Sequence, residues 1–257
     1  APLTADTAAF ARTVSGWVRV LESAAGMGAA AAEAVAAALQ PPGQVATLIV
    51  PADFSWSEAG AAGGAIERAA PRAPDSARVR EAAEILRGRE PAGLMLGGRA
   101  LLARALAAAG RIPAPVFANR YAARIERGAD LFAPLRLPYF PEPAQQALAG
   151  LKHLVLVETP PPVSFFGYPG QRSCPAPEDC RFHVLATESE DGTAALEMLA
   201  GPAPIARPRI ARPALPTGAP LTATTVGIAI GALLPEGVIL SDEMVSSGEP
   251  VWAHLAG

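Results

Sequence analysis

"PAGLMLGGRALLARALAAAG", residues 91–110, decides how this chain folds. Leu94, Met95 and Leu96 form a continuous apolar run that is too short for a helix, and two glycines stop it. Leucines and alanines then recur at helical spacing until Gly110. A strand apolar at consecutive positions is covered on both faces, and that happens in parallel sheets flanked by helices. The pattern repeats outward. Asp75 caps a helix over Ser76–Arg87, with Val79, Ala82, Ala83 and Leu86 on one stripe. "PAPVFANR" (113–120), "LKHLVLVET" (151–159) and "CRFHVLAT" (180–187) read as further strands, and "DGTAALEMLAG" (191–201) as a closing helix capped by Asp191. Residues 75–200 are therefore predicted to form a Rossmann-like α/β domain.

The flanks carry pieces of the same grammar. "GMGAAAAEAVAAALQPPG" (26–43) predicts an alanine-rich helix, and "QVATLIVPAD" (44–53) a buried strand. Residues 1–24 show no clean period. Small residues, glycines and prolines over 55–74 suggest a linker, and "GPAPIARPRIARPALPTGAP" (201–220) a second one. "LTATTVGIAIGALL" (221–234) predicts a helix. "VILSDEMVSSG" (238–248) predicts a short buried strand, then a serine-glycine turn and a helix start at Glu249-Pro250.

Composition narrows the function. Hydrophobic residues make up 51% of the 257 residues and aromatics only 5%, so alanine carries much of the apolar count. A net charge of −3 argues against nucleic acid or an anionic membrane as partner. The longest apolar run is broken by Pro235 and Glu236, which argues against a membrane span. Two cysteines, Cys174 and Cys180, suggest a reducing compartment, and a cytoplasmic location is expected. "CPAPEDC" has no second pair or nearby histidine to complete a zinc site, so no metal ligand is assigned.

Three stretches could touch a ligand. Gly97 and Gly98 between strand and helix would let a phosphate approach helix amides, or would simply let strand and helix pack closely. The full G-x-G-x-x-G pattern is missing. Phe165, Phe166 and Tyr168 follow a strand and could line a flat ring or anchor their loop on the core. Ser246, Ser247 and Gly248 could cradle an anion, with Asp242 and Glu243 turned aside toward a partner surface or a cationic ring. No serine–histidine–acid set appears, and no catalytic residue is assigned within the chain.

Taken in order, "APLTADTAAFARTVSGW", "GQVATLIVPAD", "LMLGGRALL", "KHLVLVET", "FFGYPGQRS" and "VILSDEMVSSG" resemble the thiamine-diphosphate-dependent enzymes. The likeness is to the acetolactate synthase large subunit and its benzoylformate-decarboxylase-like relatives, over essentially the whole chain. It implies an α/β protein whose central Rossmann-like domain is flanked by partial α/β domains. Residues 1–58 would end a pyrimidine-binding domain, 59–205 form the central domain, 206–220 link, and 221–257 begin a diphosphate-binding domain. It implies carbon–carbon bond chemistry on a 2-keto acid, thiamine diphosphate with Mg²⁺, and a homodimer or homotetramer.

By the same resemblance Ser246 and Ser247 lie on the turn that contacts the diphosphate, and Glu243 just before it. Some synthase members hold FAD in the central domain, while many decarboxylase relatives keep that domain without flavin. For residues 75–200 a flavin module and a structural spacer both stand, the spacer ranked first because no ribose-binding acid lies at the expected offset. The family's catalytic glutamate and its Gly-Asp-Gly metal motif would lie upstream and downstream of this stretch. The 257 residues are therefore expected to be inactive alone. Which keto acid is used is not legible.

Overall fold

The computed structural model describes residues 4–128, 131–202, 211–244 and 247–255. The chain divides into two compact units, Ala1–Arg72 and Ala73–Gly257.

The first unit is one β-α-β crossover behind a leading helix. Helix α1 (Thr7–Arg12) precedes strand β1 (Trp17–Val20), helix α2 (Met27–Leu39) and strand β2 (Ala46–Ile49). β1 and β2 pair in parallel, Trp17 opposite Ala46 and Val20 opposite Ile49. Helix α2 and strand β2 form where the sequence places them, but β2 is half-buried along its length, not buried as expected. β1 did not announce itself, because "WVRV" is four residues long and carries an arginine. The small-residue stretch after β2 is no loose tether. A side chain on Gly28 would strike the Ala61 carbonyl, and one on Gly63 would lie 2.7 Å from the Ala32 Cβ, so backbone packs directly on the start of α2.

The second unit holds a five-stranded parallel sheet in the order β5-β4-β3-β6-β7. Its elements run α3 (Ser76–Arg87), β3 (Ala92–Leu96), α4 (Ala103–Ala109), β4 (Val116–Ala118), β5 (Leu135–Arg136), α5 (Pro141–Leu148), β6 (His153–Val157), β7 (Arg181–Ala186) and α6 (Gly192–Leu199). This is the Rossmann-like α/β arrangement expected. From β3 the chain steps outward to β4 and β5, then returns to β6 on the other side of β3. The strand order therefore reverses between β3 and β6. Period-2 alternation sorts the strands' side chains between two cores. Leu94, Leu96, Val155 and Val157 face α3, α4 and α6, with Leu106 and Leu196 packed on them. Met95, Phe117, Leu154 and Leu156 face the other way, onto Leu148 of α5 and Cys180. Burying each such leucine stabilises the fold by about 1.5–3 kcal/mol, which is why Leu94–Leu96 of β3 and Leu154–Val157 of β6 are apolar at consecutive positions.

The helix caps read from the sequence are in place. Asp75 accepts from the Ala77 amide at 2.8 Å and Asp191 from the Ala194 amide at 2.9 Å. Helix α5 escaped notice because prolines at 141 and 143 mask it; Pro141 occupies its first turn, where a missing N–H costs nothing.

Beyond residue 220 the unit continues as α7 (Ala223–Leu233) and α8 (Gly248–Trp252). They pack against each other through Gly227 and Gly231, where a side chain would strike the backbone of Val251 and His254. One expectation fails here. Val238–Leu240 form no ladder, and Ile239 is 94% exposed rather than buried. A strand is held by pairing to a neighbour, and no described strand lies alongside this one.

Candidate functional site

Ligands of open α/β sheets sit beyond the carboxyl ends of the strands, where the order reverses. In this sheet that place lies between β3 and β6, whose register sets Leu96 beside Val157. The next residues, Gly97-Gly98 on one strand and Glu158-Thr159 on the other, therefore meet across the gap. A cavity of about 300 Å³ opens there. Asn119, Arg120 and Tyr121 after β4, Tyr139 before α5 and Pro160–Pro162 after β6 line it.

Its floor is filled from within. Glu158 is 3% exposed and holds a positive φ of 51°, a conformation that side chains rarely adopt. Its Oε2 accepts from the Arg99 amide at 2.8 Å and from Arg99 Nε at 3.1 Å. Its Oε1 accepts from Arg99 Nη2 at 3.1 Å and from the Gly192 amide at 3.0 Å. Arg99 Nη2 also donates to the carbonyls of Glu188 and Glu190. One buried carboxylate thus joins the turn after β3 to the start of α6.

The glycines fit this arrangement closely. A Cβ on Gly98, itself at φ +45°, would lie 2.8 Å from Glu158 Oε2, and one on Gly97 would lie 2.5 Å from the Glu158 carbonyl. Gly192 meets Glu158 Oε1 in the same way, at 2.7 Å. Of the two readings of Gly97-Gly98, close packing is what the geometry displays, with Glu158 and Thr159 as the packed groups.

The cavity wall is polar on one side and aromatic on the other. Asn119 donates to Thr159 Oγ1 at 2.6 Å and accepts from the Tyr121 amide at 2.8 Å. Burial raises the Tyr121 hydroxyl above its ordinary pKa, so it stays a neutral donor. Phe165 packs on Tyr121 and Tyr139 at ring-centre distances of 5.7 and 5.9 Å, and Phe166 stands edge-on to Phe165 and Tyr168. Phe165 and Phe166 remain 59% and 56% exposed. Tyr121 and Tyr139 line the cavity, and Phe165, which packs on both, is not sunk in the core.

The acidic-serine segment lies elsewhere in the same unit. Asp242 accepts from Arg136 at 3.2 Å, from the Met244 amide at 2.8 Å and from the Trp252 indole. Burial opposes its charge, yet these three bonds hold its carboxyl below the usual range. Trp252 lies under two cations, Arg127 at 4.9 Å and Arg136 at 4.4 Å. Burial, then the neighbouring Arg136, brings the Arg127 guanidinium down to about 10. Glu249 of α8 pairs with the buried Arg120. Asp242 therefore turns toward Arg136 and the Trp252 indole of its own unit, which is neither a partner surface nor the cationic ring expected for it. Glu243 and Ser247 are exposed, Gly248 is buried, and the Ser247 hydroxyl makes no capping bond to α8. Ser246 lies outside the described residues.

Sequence reasoning missed Arg99, Asn119 and Glu158. Their signal lay in position, at strand ends, and became readable once β3 was seen beside β6. Among the described residues no group of three or more His, Cys, Asp or Glu could hold a metal ion, and Cys174 and Cys180 are free thiols. No described helix is long and apolar enough to cross a membrane.

No family model matches the chain. Across 96% of its length it is 44% identical to a Mycobacterium tuberculosis (strain ATCC 25618 / H37Rv) protein named as a candidate acetolactate synthase large subunit, IlvX, and it covers 49% of that protein. Among solved structures it is similar to the thiamine diphosphate-dependent 4-hydroxybenzoylformate decarboxylase of Rhodococcus jostii RHA1, with a TM-score of 0.72 and 18% identity, over 98% of this chain and 52% of that one. It is also similar to benzoylformate decarboxylase from Polynucleobacter necessarius, with a TM-score of 0.67 and 19% identity, over 94% and 50%. At these identities the two structures speak for the fold alone. The chain spans about half the length of the curated relative it matches. The resemblance read from the sequence, to the acetolactate synthase large-subunit type of thiamine-diphosphate-dependent enzyme, holds along 96% of the chain.

Proposed function

We propose, from this likeness, that the chain is the middle part of a thiamine-diphosphate- and Mg²⁺-dependent enzyme acting on 2-keto acids. The single observation that carries the proposal is the 44% identity that runs through both flanks and the centre. In this reading residues 1–58 end the pyrimidine-binding domain, 59–205 form the central domain, 206–220 connect, and 221–257 begin the diphosphate-binding domain. When bound, thiamine diphosphate supplies the carbanion chemistry for decarboxylating a keto acid and coupling the product.

This chain's own share is one side of the cofactor's site. Ser247, whose hydroxyl caps nothing in α8, and the buried Gly248 would face the diphosphate together with Ser246, and Glu243 would stand at the edge of that turn. The exposed hydroxyl fits a phosphate oxygen. Asp242 is committed to Trp252 and the half-buried Arg136 and Glu249 to the buried Arg120, which keeps two carboxylates off the anion. By the family likeness Mg²⁺ would be held by polypeptide outside this stretch, and the 257 residues would not turn over alone.

The test uses the full-length protein, with the sequence on both sides of residues 1–257. It is assayed with thiamine diphosphate and Mg²⁺ on pyruvate and benzoylformate as rival substrates. Turnover requiring both additions supports the proposal, and sizing the active species separates dimer from tetramer. A full-length protein that neither binds thiamine diphosphate saturably nor releases carbon dioxide from either acid overturns it.

A further inference from the structure

The turn between β3 and α4 has the equipment of an anion site. Two backbone amides, of Arg99 and Gly192, and the Arg99 guanidinium converge on one point beyond the carboxyl ends of β3 and β6. In sheets of this kind that is where the phosphates of a bound dinucleotide lie. Here the point is taken by the carboxylate of Glu158, which engages the guanidinium through both oxygens. The three glycines around it, Gly97, Gly98 and Gly192, are closed by atoms of Glu158 or its neighbour Thr159 at 2.5–2.8 Å. A phosphate would meet a carboxylate of like charge, and the Arg99 and Gly192 amides and the Nε and Nη2 of Arg99 are already bonded.

We propose that the chain fills this anion site itself, so that the central domain holds no flavin or other dinucleotide through the Gly97-Gly98 turn. The domain then acts as a cofactor-free spacer, with Glu158 as an internal substitute for the ligand's phosphate. FAD, which the fold family allows, does not fit these residues. The inference deepens the spacer part of the reading above but rests on the geometry of the turn alone.

Two measurements on the full-length protein test it. First, the purified wild type is denatured and its supernatant read for flavin absorbance, and the native protein is titrated with FAD and with ADP by calorimetry. The expected result is no released flavin and no saturable binding of either. Stoichiometric flavin, or saturable FAD or ADP binding abolished by Gly97→Val, overturns the proposal. Second, Glu158→Ala vacates the site while leaving its donors. Acetate at constant ionic strength is expected to raise the melting temperature of Glu158→Ala by several degrees over chloride, and to leave the wild type unchanged. Equal response of the two proteins overturns the anion-site assignment. Should Glu158→Ala fail to fold, the wild-type titration decides alone. Keto-acid turnover is recorded in parallel: loss of turnover with no flavin bound counts against the proposed enzyme and leaves this inference intact.

Discussion

Gly98 and Gly97 sit next to each other yet should respond differently to substitution. At Gly98 the added methyl meets the Glu158 side chain, at 2.8 and 3.2 Å, and also forces alanine into a left-handed backbone. At Gly97 it meets the Glu158 carbonyl at 2.5 Å, which is backbone and cannot swing away. Each alanine substitution is expected to cost about 1–3 kcal/mol in denaturant unfolding. In a Glu158→Ala background the Oε2 contact is gone while the Cβ contact and the left-handed backbone stay, so the cost at Gly98 should fall in part and the cost at Gly97 should persist unchanged. A double-mutant cycle checks this, and equal costs in both backgrounds would remove Glu158 from the explanation. The glycine pair was legible in the sequence, but the group it makes room for stands sixty residues further along and was not.

At the scale of elements, two ties hold the second unit's parts together. Glu190 accepts from the Thr187 amide and hydroxyl, both at 2.8 Å, and pairs with Arg78 of α3. Burial works against its charge, but these partners bring its pKa down from 4.5 to about 2. A carboxylate with a depressed folded pKa stabilises fully above its unfolded pKa and loses that contribution as the pH falls through the folded one. Glu190→Gln should therefore flatten the loss of stability between about pH 4.5 and 2, measured as urea midpoints across that range. An unchanged acid limb would show that Glu190 contributes nothing there. The second tie is Arg136, which joins the end of β5 to Asp242 and lies over Trp252. Removing it leaves Asp242 with one charged partner fewer, at about 1.5–3 kcal/mol for a charge-assisted hydrogen bond. Arg136→Met is expected to speed amide exchange in α8 at least tenfold while sparing β6.

For the whole molecule, the two units differ in how well they are covered. The second unit covers both faces of its central strands β3 and β6. The first has two parallel strands, and leaves Phe10 and Val14 71% exposed and Trp56 90% exposed. A sheet of two strands is at best marginal without further packing. Residues 1–72 made alone should bind a hydrophobic dye and unfold without a sharp transition, whereas residues 73–257 should melt cooperatively. Cooperative melting of the short piece, followed by circular dichroism, would contradict this.

Local physics was enough for the sequence to establish the α/β class, most strands and helices of the second unit's sheet and the Asp75 and Asp191 caps, while the family likeness came from the resemblance of whole segments in order. Apolar periodicity, glycine stops and side-chain caps each depend on neighbours a few residues away, so they can be read in order along the chain. The tertiary structure alone decided that β6 pairs with β3, and hence that Glu158 occupies the Gly97-Gly98 turn. It also decided that Asp242 answers Arg136 and Trp252, and that Val238–Leu240 stay unpaired. Those outcomes depend on which distant segments close on each other. A carboxylate, an amide or an apolar run has the same local energy whether or not its remote partner arrives.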